Sequence, residues 1–422
     1  MTNLNTIHII ATTLFGIAVL HTFFAFYFEG LADRSQNHTG LFHLLGEVEA
    51  VFGFWALVLV IFMAFIHGST RPAISYLESR NYTEPLFVFA IMVIAASKPI
   101  LYTSKTIVLA LSKLLEKLFK LPTAIANYFV TLSGLPILGS FITEPAAMTL
   151  AAFLLRDTIF SKTSSTKLMY LTIAVLFVNI SIGGALTSFA APPILMVSAA
   201  WDWDTAYVFQ TFGIKATIAV LVNALLVTIV IHKELPKVSS AHHQDQMPLW
   251  VVLTHLIFLL AVIVFAHHPV MFMGIFLFFL GYTHAYSSYQ SPLILKEALM
   301  VAFFLAGLVV LGGLQQWWLQ PLLNDMSNTA VFYGAIALTA ITDNAALTYL
   351  GSLVEGTTEE FRYALVAGAL AGGGLTVIAN APNPAGLAIL KDYFPQKAIS
   401  ALKLLLAALP PTAIAIVAFK VL

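Results

Sequence analysis

The chain has 422 residues, of which 59% are hydrophobic and only 9% charged, and its mean hydropathy is +0.91. A soluble domain carries roughly 25% charged residues, so the composition excludes one and requires a polytopic membrane protein. The formal net charge is zero and there is no cysteine, which excludes a nucleic-acid footprint, disulfides, thiolate metal sites and cysteine nucleophiles.

A spanning helix needs about 20 mostly apolar residues. Residues 6–28 come first; they lack a basic leader and are expected to be a retained helix, not a cleaved signal. A second crossing covers 47–67. Region 84–120 admits two readings: two short crossings turning near Tyr102, or one crossing and an amphipathic surface helix ending in "SKLLEKLFK". The two crossings within 270–315 favour the first. Region 122–160 is too long for a simple span and carries "ITEPAAMTLAAFL" (142–154) in its middle, so a re-entrant hairpin is expected. Residues 167–200 read as a crossing broken by Gly183, Gly184, Pro192 and Pro193, and 212–232 follows. Crossings at 248–266, 270–286 and 296–315 lead to a second hairpin, 322–356, around "ITDNAALTYLGSL" (341–353). A second broken crossing, 361–392, holds Gly372, Gly373, Gly374, Pro382 and Pro384, and 397–420 closes the chain. The expectation is an all-α membrane protein with eleven crossings, two hairpins and no soluble domain.

The halves repeat. "GGALTSFAAPP" (183–193) recurs as "GGGLTVIANAP", pairing Gly184 with Gly373 and Pro193 with Pro382. In both halves the carboxylate motif precedes the glycine motif. The expected division is an extra N-terminal helix (1–46), a first repeat (47–232) and a second (248–422). Five crossings per repeat invert one half relative to the other, so the first hairpin opens to the cytoplasm and the second outside. With a cytoplasmic N-terminus, fourteen of the 20 Lys and Arg fall inside, and Arg34, Lys105, Arg362 and Lys420 outside. Lys98 and Lys215 lie within spans and read as snorkelling or near-surface groups.

Inverted repeats with broken helices at matching positions point to a secondary transporter with a midplane site. The hairpin tips would bring Glu144 and Asp343 together there. A carboxylate at membrane depth is costly unless it faces a cavity or has a function. Burial and mutual repulsion both favour a proton on such a pair, and a hard cation favours its absence. A site that holds H+ or Na+, but not both, is sufficient for exchange. Oxygen ligands suit Na+ by analogy with other hard cations. Candidates beside the acids are Asn344, the Thr187 and Thr376 hydroxyls, Asn380 and Asn383, with Asn179 and Ser181 further away. Thr143 and Thr342 are also good helix caps, with the acid in the first turn. Glu47 and Glu49 read as interfacial, one of them a possible cation access point. The twelve histidines show no metal pattern, and no enzyme motif occurs.

The paired "TEPAAMT" and "TDNAALT", the glycine-rich breaks and "ANAPNPAG" (379–386) together resemble the putative Na+/H+ antiporter family of the ion transporter superfamily, over most of 47–422. That superfamily includes sodium-coupled dicarboxylate symporters and arsenite permeases. The resemblance implies a hairpin-and-broken-helix transport domain (122–200 and 322–392), a scaffold, a homodimer and elevator-type movement. The dicarboxylate branch carries a neutral Ser-Asn-Thr signature at its tips, where this chain has Glu144 and Asp343. The expected function is Na+ (or Li+)/H+ antiport in a bacterial cytoplasmic membrane, with no cofactor beyond the transported ions. The alternative is a Na+-coupled anion symporter.

Overall fold

The computed structural model describes residues 2–32, 38–236 and 246–422; Arg34 and Lys237 lie outside this set. The described residues form helices and no strand. The chain opens with α1 (Thr2–Ala32), α2 (Thr39–Gly46), α3 (Val48–His67) and the short α4 (Arg71–Glu78). Next, α5 (Thr83–Ala95) and α6 (Lys98–Phe119) meet at a bend of 67°. The first hairpin is α7 (Thr123–Ile142) with α8 (Glu144–Thr158), and the first broken helix is α9 (Thr166–Gly183) with α10 (Pro192–Ser198). Helix α11 (Thr205–Val208) continues through Phe209–Gly213 into α12 (Ile214–Ile231). The second half holds α13 (Leu249–Val264), α14 (Pro269–Ala285), α15 (Leu295–Gly312) and the short α16 (Gln316–Asn324). Its hairpin is α17 (Asn328–Thr339) with α18 (Asn344–Ser352), its broken helix α19 (Glu359–Gly372) with α20 (Asn383–Leu390), and α21 (Ala401–Val421) ends the chain. Among the described residues, seven helices are long and apolar enough to cross a membrane, or up to eight if the bent pair counts as one.

Two groups of helices pack internally. In the first, α3 lies against α15, with α1, α5, α13 and α14 around them. Small residues let α3 and α15 touch: a Cβ on Gly307 would fall 2.6 Å from Gly53 Cα, and the Phe52 and Phe304 rings meet edge-on at 5.2 Å. In the second, α9 packs on α7, α12 and α21, and α17 on α19. The hairpins cross over: α10 lies on α18, and α20 lies on α8. Each broken helix therefore buries its second segment against the other half's hairpin.

Three contacts run against the expected sidedness of the first hundred residues. Lys296, expected inside, forms an ion pair at 2.9 Å with Glu47, expected outside. Thr83 and Glu84, expected inside, line one pocket with Asp204 and His267, expected outside. Thr12, in the inner half of its expected span, bonds at 2.8 Å to Gln315 at the outer end of α15. The hairpin base joins the start of α9, where Ser165 bonds to Glu234 at the end of α12. The chain therefore passes from the Asp204 face at Thr83 to the Ser165 face at the foot of α7, which takes an odd number of crossings. These contacts run against two crossings turning near Tyr102, which lies inside α6.

The local cause is "Ser97-Lys98-Pro99". Ser97 is extended (φ −65°, ψ 148°) and Pro99 occupies the first turn of α6. Proline fits a first turn but cannot continue the helix before it. Helix α5, with 13 residues, spans only about 20 Å. Helix α6 is amphipathic and carries Lys105, Lys113 and Lys117, the character that the second reading expects.

Candidate functional site

The two hairpin tips differ in how they turn. At the first, Thr143 adopts φ 70°, ψ 151°, a left-handed conformation that costs a β-branched residue about 1–3 kcal/mol. Glu144 then opens α8, with Pro145 in its first turn. At the second, Asp343 is extended and is itself the cap of α18, accepting from the backbone N–H of Ala345 (2.8 Å) and Ala346 (3.1 Å). Thr143 stands at the cap position with Glu144 in the first turn, as expected, whereas Asp343 takes the place expected of Thr342. Thr143 makes no capping bond, and Thr342 Oγ1 donates to Leu338 O, one turn back, at 2.9 Å.

One helix starts at its acid and the other starts just after its acid. Glu144 and Asn344 thus take the same structural position, the first residue of the second hairpin arm, and both are 0% exposed. Each faces the equivalent glycine. A Cβ on Gly184 would lie 2.8 Å from Glu144 Cγ, and one on Gly373 would lie 2.7 Å from Asn344 Nδ2. Both glycines have ordinary right-handed backbone (φ −71° and −65°), so space, not conformational freedom, selects glycine there.

The breaks lie where the sequence places them. Gly183 ends α9 and Pro192 and Pro193 begin α10; Gly373 and Gly374 follow α19, Pro382 precedes α20, and Pro384 sits in its first turn. Between α19 and α20, the chain reaches both tips: Asn380 Nδ2 donates to Glu144 Oε2 at 2.8 Å, and Asn344 N donates to Ala379 O at 3.1 Å. The backbone of Ala381 faces Asp343. Glu144 and Asp343 are near enough for their charges to interact.

A set of buried polar atoms at these tips has no protein partner: Glu144 Oε1, Thr143 Oγ1, Thr339 Oγ1, both amide atoms of Asn344, and the Oδ1 atoms of Asn380 and Asn383. Buried polar groups are nearly always paired, so this concentration marks a place where something else binds. Among the described residues, no Lys or Arg forms an ion pair with Glu144. Lys215 bonds instead to Tyr363 Oη at 2.9 Å.

The remaining candidates brace this cluster. Thr187 Oγ1 donates to Ser140 O at 2.7 Å and Thr376 Oγ1 to Ala340 O at 2.9 Å, so each ties its break to its own hairpin. Asn383 Nδ2 bridges Gly373 O and Thr376 O across the second break. Ser181 Oγ donates to Leu370 O, joining α9 to α19, and Asn179 bonds to Leu132 O, Val220 O and Asn223. Sequence reasoning missed Ser140, which donates to Gly183 O and accepts from Leu186 N, and Asn223. Ser140 lies one turn before Glu144, and that spacing was the available signal.

Asp343 also lines a cavity of about 360 Å³ between α1, α3, α15 and α16 on one side and α17 and α18 on the other. Glu49 lies in the first turn of α3. Glu47 is instead taken up by Lys296. His67 and His255 bond to the carbonyls of Met63 and Val251 in their own helices and take no part in the site.

Compared with known proteins, residues 6–422 match the family described as "Putative Na+/H+ antiporter". No curated protein matches the chain.

Proposed function

The chain belongs to that Na+/H+ antiporter family, and on this premise we propose that it exchanges Na+ for H+ at a site centred on Glu144. One observation carries the reading. Glu144 is wholly buried, has one amide hydrogen bond on one oxygen, an unpartnered second oxygen, and no cationic partner. An ionised carboxylate in such a place is heavily penalised. A proton removes the charge, or a hard cation neutralises it, and the two exclude each other. The unpartnered oxygens of Glu144, Thr143 and Asn380 are the ligand type that Na+ or Li+ takes, with carbonyls freed by the breaks completing the shell. Asp343 is a second, outward acid that serves the cavity side. Its negative charge, and the lack of a Lys or Arg in that cavity's lining, disfavour an anionic substrate.

The corrected parity supports ten crossings, five in each half, so that α1 belongs to the first repeat, which runs over 2–232 against 249–421. Arg156, Lys162, Lys167, Lys233, Lys296 and Lys391 then share one face, with Arg71, Arg80, Arg362 and Lys420 on the other. The positive-inside rule makes the first face cytoplasmic and puts the N-terminus outside. The hairpins, broken helices, α12 and α21 would move as one body against α1, α3, α5 and α13–α15, in a homodimer.

The test uses membrane vesicles with an acid interior and a ΔpH-sensitive dye, to which Na+, Li+ or K+ is added. Wild-type protein dissipates the gradient with Na+. Glu144→Gln abolishes the response, and Asp343→Asn slows it. Exchange at the wild-type rate in Glu144→Gln overturns the proposal.

A further inference from the structure

We propose that the cavity beside Asp343 binds a lipophilic organic cation, a protonated amine whose ammonium group meets the Asp343 carboxylate and whose apolar body fills the space behind it. The cavity holds about 360 Å³ and is walled by Phe15, Phe52, Phe304, Trp318, Leu347 and Ile378. Asp343 is the one charged residue in its lining; the other polar groups are the hydroxyls of Thr22 and Thr342 and the Trp318 indole.

This arrangement selects one chemistry. Asp343 Oδ1 takes the N–H groups of Ala345 and Ala346; the residue is half-buried, and its carboxylate is open to the cavity. A bare Na+ would find too few oxygens here, because hard cations take six or more oxygen ligands in well-formed sites. An anion meets a carboxylate and no cation. An acyl chain fills the apolar volume but leaves the carboxylate without a partner. An ammonium on an apolar scaffold satisfies the carboxylate, packs against the four aromatic rings and gains cation–π attraction. The site lies between the two helix groups, so an occupant wedges α17 and α18 against α1, α3 and α15. The inference does not depend on the Na+/H+ reading, because binding is measured without transport.

The probe is radiolabelled 1-aminoadamantane, a compact apolar cage with one ammonium, on the full chain in lipid nanodiscs, with empty nanodiscs subtracted. Competitors are 1-adamantanol, which keeps the body and lacks the charge, and 1-adamantanecarboxylate. The expected result is saturable binding of the amine, displacement by the alcohol at roughly tenfold or higher concentration, and none by the carboxylate. Asp343→Asn should bring amine and alcohol to equal affinity. Gly334→Leu fills the cavity from α17, where an added Cβ meets only Met326 Cε at 3.6 Å. It should remove both ligands while the thermal transition stays at the wild-type value. No saturable binding to the wild-type protein overturns the proposal. So does alcohol binding as tight as the amine's, which makes the cavity an acyl-chain slot, or an undiminished amine preference in Asp343→Asn.

Discussion

Replacing Gly184 by alanine perturbs Glu144 without touching its chemistry. The backbone at Gly184 (φ −71°, ψ −7°) accepts alanine as it stands. The added methyl carbon is the problem. It would lie 2.8 Å from Glu144 Cγ and 3.0 Å from Cδ, where ordinary contact begins at 3.4 Å. The side chain must retreat by roughly 0.6 Å at Cγ, and more at Oε1, to relieve the overlap. Glu144 is fully buried and held at its other oxygen by Asn380 at 2.8 Å, so it cannot move without loosening that bond. A hydrogen bond to a charged group is worth about 1.5–3 kcal/mol, which corresponds to a loss of roughly 10- to 150-fold in Na+ affinity. The assay is a Na+ titration of dye recovery in vesicles, read as half-maximal concentration and maximal rate. Gly16→Ala, with nothing within 4 Å of the added Cβ, is the matched control and should behave as wild type. A Gly184→Ala protein of normal thermal stability and unchanged half-maximal Na+ refutes the assignment of Glu144 as the ion ligand.

Asn380→Ala removes the one hydrogen bond to Glu144 and should raise the half-maximal Na+ by about tenfold or more; the same titration reads it. At Asp343, charge and cap separate: Asp343→Asn keeps a good cap and thermal stability, whereas Asp343→Ala loses about 1 kcal/mol, visible as a lower thermal midpoint. The natural chain has no cysteine, so single cysteines report sidedness directly. Ser69→Cys and Ser164→Cys should react with an impermeant maleimide from opposite faces of the membrane, and labelling from one face restores the two-crossing reading of 84–120.

Much of the site was legible because membrane depth makes polar residues conspicuous. Glu144, Asp343, Asn380 and the Gly-Gly-x-Leu-Thr pair stand out against an apolar background, and their repetition tied them into one site. The bend at Ser97 was less legible. Its signal, a proline two residues after a serine, is also compatible with a helix that begins after a full loop. The matching pair of crossings at 270–315 favoured two, because an amphipathic helix and a short span have similar hydropathy. Contacts between distant parts of the chain, such as Lys296 with Glu47, bear on parity, and no local pattern carries them.

The roles of the two acids were the least legible part, because alignment and helix register disagree by one residue. The repeat pairs Glu144 with Asp343 by sequence. The fold pairs Glu144 with Asn344, since aspartate is a good N-cap and Asp343 takes that position, whereas glutamate is not among the preferred caps and Glu144 is drawn into the first turn behind a strained Thr143. One methylene therefore separates a buried acid from an outward one. The result is a divided site: a single carboxylate at the closed tip and a buried amide at the other, with the second acid turned to the cavity. A Na+ replacing a proton at Glu144 alone leaves the site's net charge unchanged, so the buried centre needs no further ion to be neutral in either state. On the proposed exchange at Glu144, whatever Asp343 binds is added to that cycle. Two acids that matched in sequence can thus hold different occupants, and the backbone N–H groups of Ala345 and Ala346, more than the carboxylate itself, decide which way Asp343 faces.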